Sequence, residues 1–179
     1  AALKTAIPLI YFTWFDRFRL VDDVTYSAKG RELLARGDDP FTLLLDPVQR
    51  MGLFHLAGGV HIGFNWLNAC AQWIFGAHYQ SAVFVNVAMS ALAAAGLARL
   101  LRLAGAKRGY RVGVVVFFCL HWEVLTWTSL FNLKGAWVLA GGLWLLVGAV
   151  EFQSTLKLRW LLLCLVLAAG LATLRIYVP

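Results

Sequence analysis

Asp22 and Asp23 stand side by side near the start of the chain. An adjacent carboxylate pair at a membrane surface can act as a general base, bind a divalent cation, or receive a cationic group. The same pair also suits the first turn of a helix, whose dipole favours acidic residues there. Further on, His61, Asn65, Asn68 and Gln72 are spaced so that a helix carries them as one polar stripe. In an apolar segment such a stripe faces protein or water, and it either glues helices together by hydrogen bonds or lines a ligand site. Asn86 and Ser90 repeat the pattern in the next apolar run. Glu123 lies beside His121 and Trp122 in the middle of a fourth run, where an unpaired carboxylate costs about 2.5–3.5 kcal/mol. It therefore requires a partner or a proton, or else a place near the outer surface, where it could face a substrate.

His55, His61, His78 and His121 raise the question of haem, chlorophyll or a metal, because imidazole ligates all three in membranes. None sits in an H-x-x-x-H or C-x-x-C-H spacing, and they read as hydrogen-bonded structural groups. No cofactor is expected beyond a divalent cation at the aspartates, with haem or chlorophyll reserved for a subunit of a larger complex. Cys70, Cys119 and Cys164 fall inside apolar runs and read as small packing residues. There is no phosphate loop, nucleophile elbow or catalytic triad pattern.

The elements that must position these groups are membrane helices. Of 179 residues, 61% are hydrophobic and 14% charged, and the mean hydropathy is +0.73. Soluble domains are nearer 45–50% apolar and about 25% charged. These figures exclude a soluble enzyme, a disordered chain and a disulfide-stapled scaffold. Apolar runs at 6–15, 53–75, 82–98, 112–131, 136–150 and 160–174, with Trp residues mostly near their ends, predict an all-α polytopic bundle. About five to six membrane segments are expected, in a single transmembrane domain covering 1–179. The chain opens without Met and stops directly after an apolar run, which leads us to expect a fragment of a longer protein.

The insert at 16–50 holds seven of the nine acidic residues and is the functional segment to expect. Within it, 24–37 reads as an amphipathic helix ended by Gly37. Asp38-Asp39-Pro40 and Asp46-Pro47 mark turns around a short apolar patch at 41–45. The net charge of +7 comes largely from Arg99, Arg102, Lys107, Arg108 and Arg111, one connection without an acid, which points to topology and not to nucleic acid. The positive-inside rule places that connection in the cytoplasm. If 53–75 crosses the membrane fully, the 16–50 insert is cytoplasmic. If 53–75 is re-entrant, as Gly58-Gly59 and Gly63 allow, the insert is outside.

The order of features resembles the N-terminal part of polytopic GT-C glycosyltransferases, which use polyprenyl-phosphate sugars. The likeness rests on Leu20-Val21-Asp22-Asp23-Val24-Thr25-Tyr26, on Arg31-Glu32-Leu33-Leu34-Ala35-Arg36-Gly37-Asp38-Asp39-Pro40-Phe41 and on Trp73-Ile74-Phe75-Gly76. It continues through 85–102, Ser129 to Ala136, and Leu174-Arg175-Ile176-Tyr177-Val178. Gly135 stands where the family usually has an acid after its lysine, and Ile176 where it has proline. The resemblance implies an inverting transfer of sugar from a polyprenyl-phosphate donor to a lipid or protein acceptor. Asp22 or Asp23 would be the base, and Tyr26, Lys134 and Arg175 substrate contacts. It also implies a bacterial inner membrane location, with membrane lipids and a polyprenyl-phosphate-linked sugar as partners. Members of that family usually have several hundred residues and more crossings, and their later helices complete the donor site. A second expectation is therefore a non-catalytic accessory subunit of a larger membrane complex, binding lipid or pigment beside other subunits. Neither reading involves nucleic acid.

Overall fold

The computed structural model describes residues 6–7, 9–11, 21–36, 39–57 and 61–175. Much of the opening run at 6–15 thus lies outside the described residues, as does Gly37. Among the described residues the chain is helical and has no strand. The helices are α1 (Val21–Ala35), α2 (Thr42–Leu45), α3 (Pro47–Ala57), α4 (Ile62–Phe75), α5 (Tyr79–Leu103), α6 (Arg108–Leu120), α7 (Trp122–Ser129), α8 (Gly135–Thr155) and α9 (Leu158–Arg175).

Two of them, α5 with 25 residues and α8 with 21, are long and apolar enough to cross a membrane. A third span results if α6 and α7, bent by 55° at a break, are taken together. The expected five to six crossings are therefore not supported among the described residues. The run at 53–75 divides between the end of α3 and α4, and the 14 residues of α4 reach only about 21 Å, against a hydrocarbon core of about 30 Å. The run at 112–131 breaks at His121, and the apolar part of α9, Leu158–Leu174, is shorter than the two spanning helices.

Alanine and leucine, both strong helix formers, sustain α5 over its 25 residues. It stops at Gly105, whose φ of +74° lets the chain turn in the left-handed region. There Gly105 N donates to Arg102 O at 3.0 Å and Ala106 N to Leu101 O at 2.9 Å, satisfying the last carbonyls. Helices α5 and α8 run parallel. Trp137 Nε1 donates to Asn86 Oδ1 at 2.9 Å and Trp144 Nε1 to Leu92 O at 2.9 Å, and Arg99 pairs with Glu151. Helix α9 returns antiparallel to α8, with Leu171 near Gly141 and Cys164 near Gly148. A Cβ on Gly148 would stand 2.7 Å from Cys164 Sγ. Gly148→Ile is thus expected to force α8 and α9 apart and to lower stability by about 1–3 kcal/mol, read as an earlier unfolding midpoint in detergent.

The insert forms a cap at one end of this bundle. Leu33, Leu43, Leu53 and Ala69 make a small core between α1, α2, α3 and α4, with Leu34, Ile62 and Trp66 packed on it. Helix α1 begins earlier than the sequence pattern indicates. Its buried face carries Ser27, Gly30 and Leu33 in place of the apolar stripe expected of an amphipathic helix. Gly30 allows the close approach, since a Cβ there would lie 3.1 Å from the backbone of Asn68. Apolar side chains instead point outward from the following segment, where Phe41, Leu45, Val48 and Met51 are exposed in the manner of an interfacial helix.

The turn predicted at Asp46-Pro47 forms, and of the one predicted at Asp38-Asp39-Pro40 the part from Asp39 onward is described. Asp46 Oδ1 accepts from Val48 N at 2.8 Å, capping α3 ahead of Pro47. Asp39 accepts from Phe41 N at 2.8 Å, Thr42 N at 3.0 Å and the Thr42 hydroxyl. The Thr42 hydroxyl, followed by the backbone N–H groups, holds the Asp39 carboxyl below its ordinary value of 3.8. A lowered folded value means the turn is fully stabilised above that pH and loses this contribution as the pH falls through the folded value. The Thr42 amide resonance should accordingly titrate below pH 3.8, and Asp39→Asn should remove the transition.

Candidate functional site

Side chains from segments far apart in sequence meet where the cap sits on the bundle. His61 precedes α4 in the left-handed conformation, with φ of 55°, which non-glycine residues adopt only where surroundings hold them. Here its ring is held on two sides. Nδ1 donates to the carbonyl of Leu174, in the last turn of α9, at 3.0 Å. Lys134 Nζ lies against the same ring, 2.8 Å from Nε2 and 3.0 Å from Nδ1. Tyr26 lies edge-on to this ring, with centroids 5.9 Å apart, and packs on Phe64 at 4.9 Å.

The sequence-predicted residues distribute around this centre. Lys134 is the residue just before α8, so its charge adds to the positive end of that helix dipole. Arg175 follows Leu174 at the end of α9, and its side chain lies outside the described residues. Asp22 and Asp23 occupy the first turn of α1, one helical turn before Tyr26. Their side chains also lie outside the described residues. Backbone placement therefore brings the acidic pair, Tyr26, His61, Lys134 and Arg175 to the same end of the molecule.

The stripe on α4 is buried at Asn65, Asn68 and Gln72. Asn132 Nδ2 donates to Asn68 Oδ1 at 2.5 Å, and Gln72 Nε2 donates to Ser27 O at 3.0 Å and Ser27 Oγ at 3.2 Å. These bonds tie α4 to the α7–α8 connection and to α1, below the His61 centre. Glu123 stands apart from the stripe, exposed in the first turn of α7. Asn132 and the pairing of Arg99 with a Glu151 that is only 6% exposed were not legible as site or core features. A lone Glu151 at the edge of an apolar run was the one available signal. Among the described residues no group of three or more His, Cys, Asp or Glu is placed to hold a metal ion.

Beside the His61 centre lies a cavity of about 610 Å³ between α4, α5, α8 and α9. Its walls are apolar, from Trp66, Leu67, Met89, Leu92, Trp144 and Leu171, and its rim includes Gly63, Thr173 and Leu174. The volume is that of a ligand site. Lys134 at His61, beside an apolar slot, suits a molecule with an anionic head and a hydrocarbon tail.

No family model matches the chain, and no match is found among curated proteins or solved structures.

The cap end and the basic connection at 104–107 are opposite ends of α5. Asn86, level with Phe131 and Leu133, is about 24 Å along that helix from Arg102. Both ends of α4 stay in the cap half, since Gly63 meets Thr173 near the end of α9 and Phe75 precedes the start of α5 by a short turn.

Proposed function

We propose that the protein is a membrane glycosyltransferase of the GT-C kind, moving a sugar from a polyprenyl-phosphate donor to a lipid or protein acceptor. The observation that carries this reading is the gathering of His61, Lys134, Tyr26 and the end of α9 above an apolar cavity open to a lipid tail. A carboxylate of the Asp22 and Asp23 pair takes the proton of the acceptor hydroxyl. That oxygen bonds to the anomeric carbon as the carbon–phosphate oxygen bond breaks, and the phosphate leaves with the electron pair, with inversion. Lys134 and Arg175 hold the leaving phosphate through charge-assisted hydrogen bonds. On this reading the basic connection faces the cytoplasm of a bacterial inner membrane and the cap faces the other side, as the positive-inside rule favours.

The test is photolabelling of the full-length protein by a polyprenyl phosphate carrying a diazirine in its tail. Labelled peptides are expected from α4 and α9, and Lys134→Gln should weaken labelling about tenfold, as expected for loss of a hydrogen bond to a charged group. Labelling spread evenly over all helices, and unchanged in Lys134→Gln, would refute donor binding here.

A second reading, an accessory subunit of a membrane complex, is favoured by one observation. Glu123 is exposed beside the exposed Trp122 at the bend between α6 and α7, and a carboxylate at that depth calls for a polar partner from another helix. A photocrosslinker at position 123 that captures a second polypeptide stoichiometrically in native membranes would favour this subunit reading.

A further inference from the structure

At the end of the bundle away from the cap, a second cleft of about 340 Å³ opens between α5 and α6. Three guanidinium groups, of Arg102, Arg108 and Arg111, border it, and Ala98, Val112, Val115 and Val116 form its wall. Arg99, one turn before Arg102, is neutralised by Glu151. Arg102, Arg108 and Arg111 form no ion pair among the described residues, and no acid lies between 99 and 122. Three unneutralised guanidinium groups crowd one mouth, and like charges so placed repel unless an anion lies among them. The wall is apolar and continues into the membrane-facing side of α6, where Val112, Val116 and Phe117 are exposed.

We propose that this cleft binds one anionic phospholipid, its headgroup phosphate among Arg102, Arg108 and Arg111 and one acyl chain along Val112, Val115 and Val116. The guanidinium fork matches phosphate oxygens, and its charge persists at any physiological pH. A free phosphate would use the arginines and leave the valine wall idle, whereas a phospholipid uses both. Basic clefts between membrane helices on the side that carries anionic lipid have this combination of groups. The site is independent of the transferase reading, since it lies at the opposite end of α5 and shares no residue with it.

Native mass spectrometry of the full-length protein in detergent tests it, with phosphatidylglycerol, phosphatidylcholine or inorganic phosphate added. One phosphatidylglycerol should be retained in preference to phosphatidylcholine. Arg102→Gln, Arg108→Gln and Arg111→Gln together should weaken it about 100-fold, at about fivefold per charge, while Lys157→Gln with Arg159→Gln should leave it unchanged. Val115→Trp fills the wall and keeps the charges, so it should displace the lipid alone. Equal retention of the two lipids by the unmodified protein would overturn the proposal without recourse to any variant. So would inorganic phosphate binding as tightly as phosphatidylglycerol, or phosphatidylglycerol binding that survives Val115→Trp.

Discussion

Asp22→Asn combined with Asp23→Asn is expected to reduce sugar transfer by about 10²–10⁴-fold, the range that loss of a general base produces. The amide keeps the size and hydrogen-bonding capacity of each side chain but cannot accept the hydroxyl proton. Folding should change little, because both positions lie in the first turn of α1, and the core of the cap is built lower down by Leu33, Leu43 and Leu53. Each acid lost near a helix N-terminus removes about 0.3–1 kcal/mol of dipole stabilisation. Donor labelling should persist, since the proposed mechanism assigns the phosphate to Lys134 and Arg175 and not to the aspartates. A loss of transfer with labelling retained separates a catalytic role from a structural one, and single variants show which carboxylate is the base. Transfer unaffected in the double variant would mean that the chemistry is done elsewhere.

Asn86→Leu should have the largest effect on the fold, about 3 kcal/mol or more in stability, from the summed penalty of stranding several buried polar groups. Asn86 Nδ2 donates to Phe131 O at 3.1 Å and Leu133 O at 3.0 Å, and its Oδ1 accepts from Trp137 Nε1 at 2.9 Å. One side chain thereby satisfies two carbonyls of the non-helical α7–α8 connection and fixes the start of α8. Leucine offers none of these partners, and water has little access to a residue 1% exposed. The consequence should reach the site, because Lys134 and Asn132 lie in the same connection and contact His61 and Asn68. Asn86→Leu should therefore lower both the unfolding midpoint in detergent and the donor labelling.

The two long apolar helices and the part of the polar stripe at Asn65, Asn68 and Gln72 were legible because each depends on local periodicity, whereas His61 falls just before α4. Ala82 to Ala98 and Ala136 to Val150 read as apolar runs, and both fall inside observed helices. The spacing of Asn65, Asn68 and Gln72 placed them on one buried face. The Asp46-Pro47 turn was equally local. Features decided between distant segments were not legible. The bend at His121 leaves no glycine or proline in the sequence to mark it. The run at 53–75 offered two topologies, and the choice between them depends on contacts of Gly63 with Thr173 and of His61 with Leu174, more than a hundred positions away. Glu151 looked like the start of a polar connection, but it lies within α8 because Arg99 of α5 reaches it. The apolar cavity has contributions from four helices, and no one of them displays it alone.

The most direct test of the proposed function is transfer itself. Membranes containing the full-length protein, and matched membranes lacking it, are given a polyprenyl-phosphate sugar radiolabelled in the sugar, and label is followed into the lipid and protein fractions. Protein-dependent appearance of label in one of these fractions, with inversion at the anomeric carbon, is the expected result. Label remaining entirely on the donor, across the common hexose and pentose donors and with the protein folded, would contradict it.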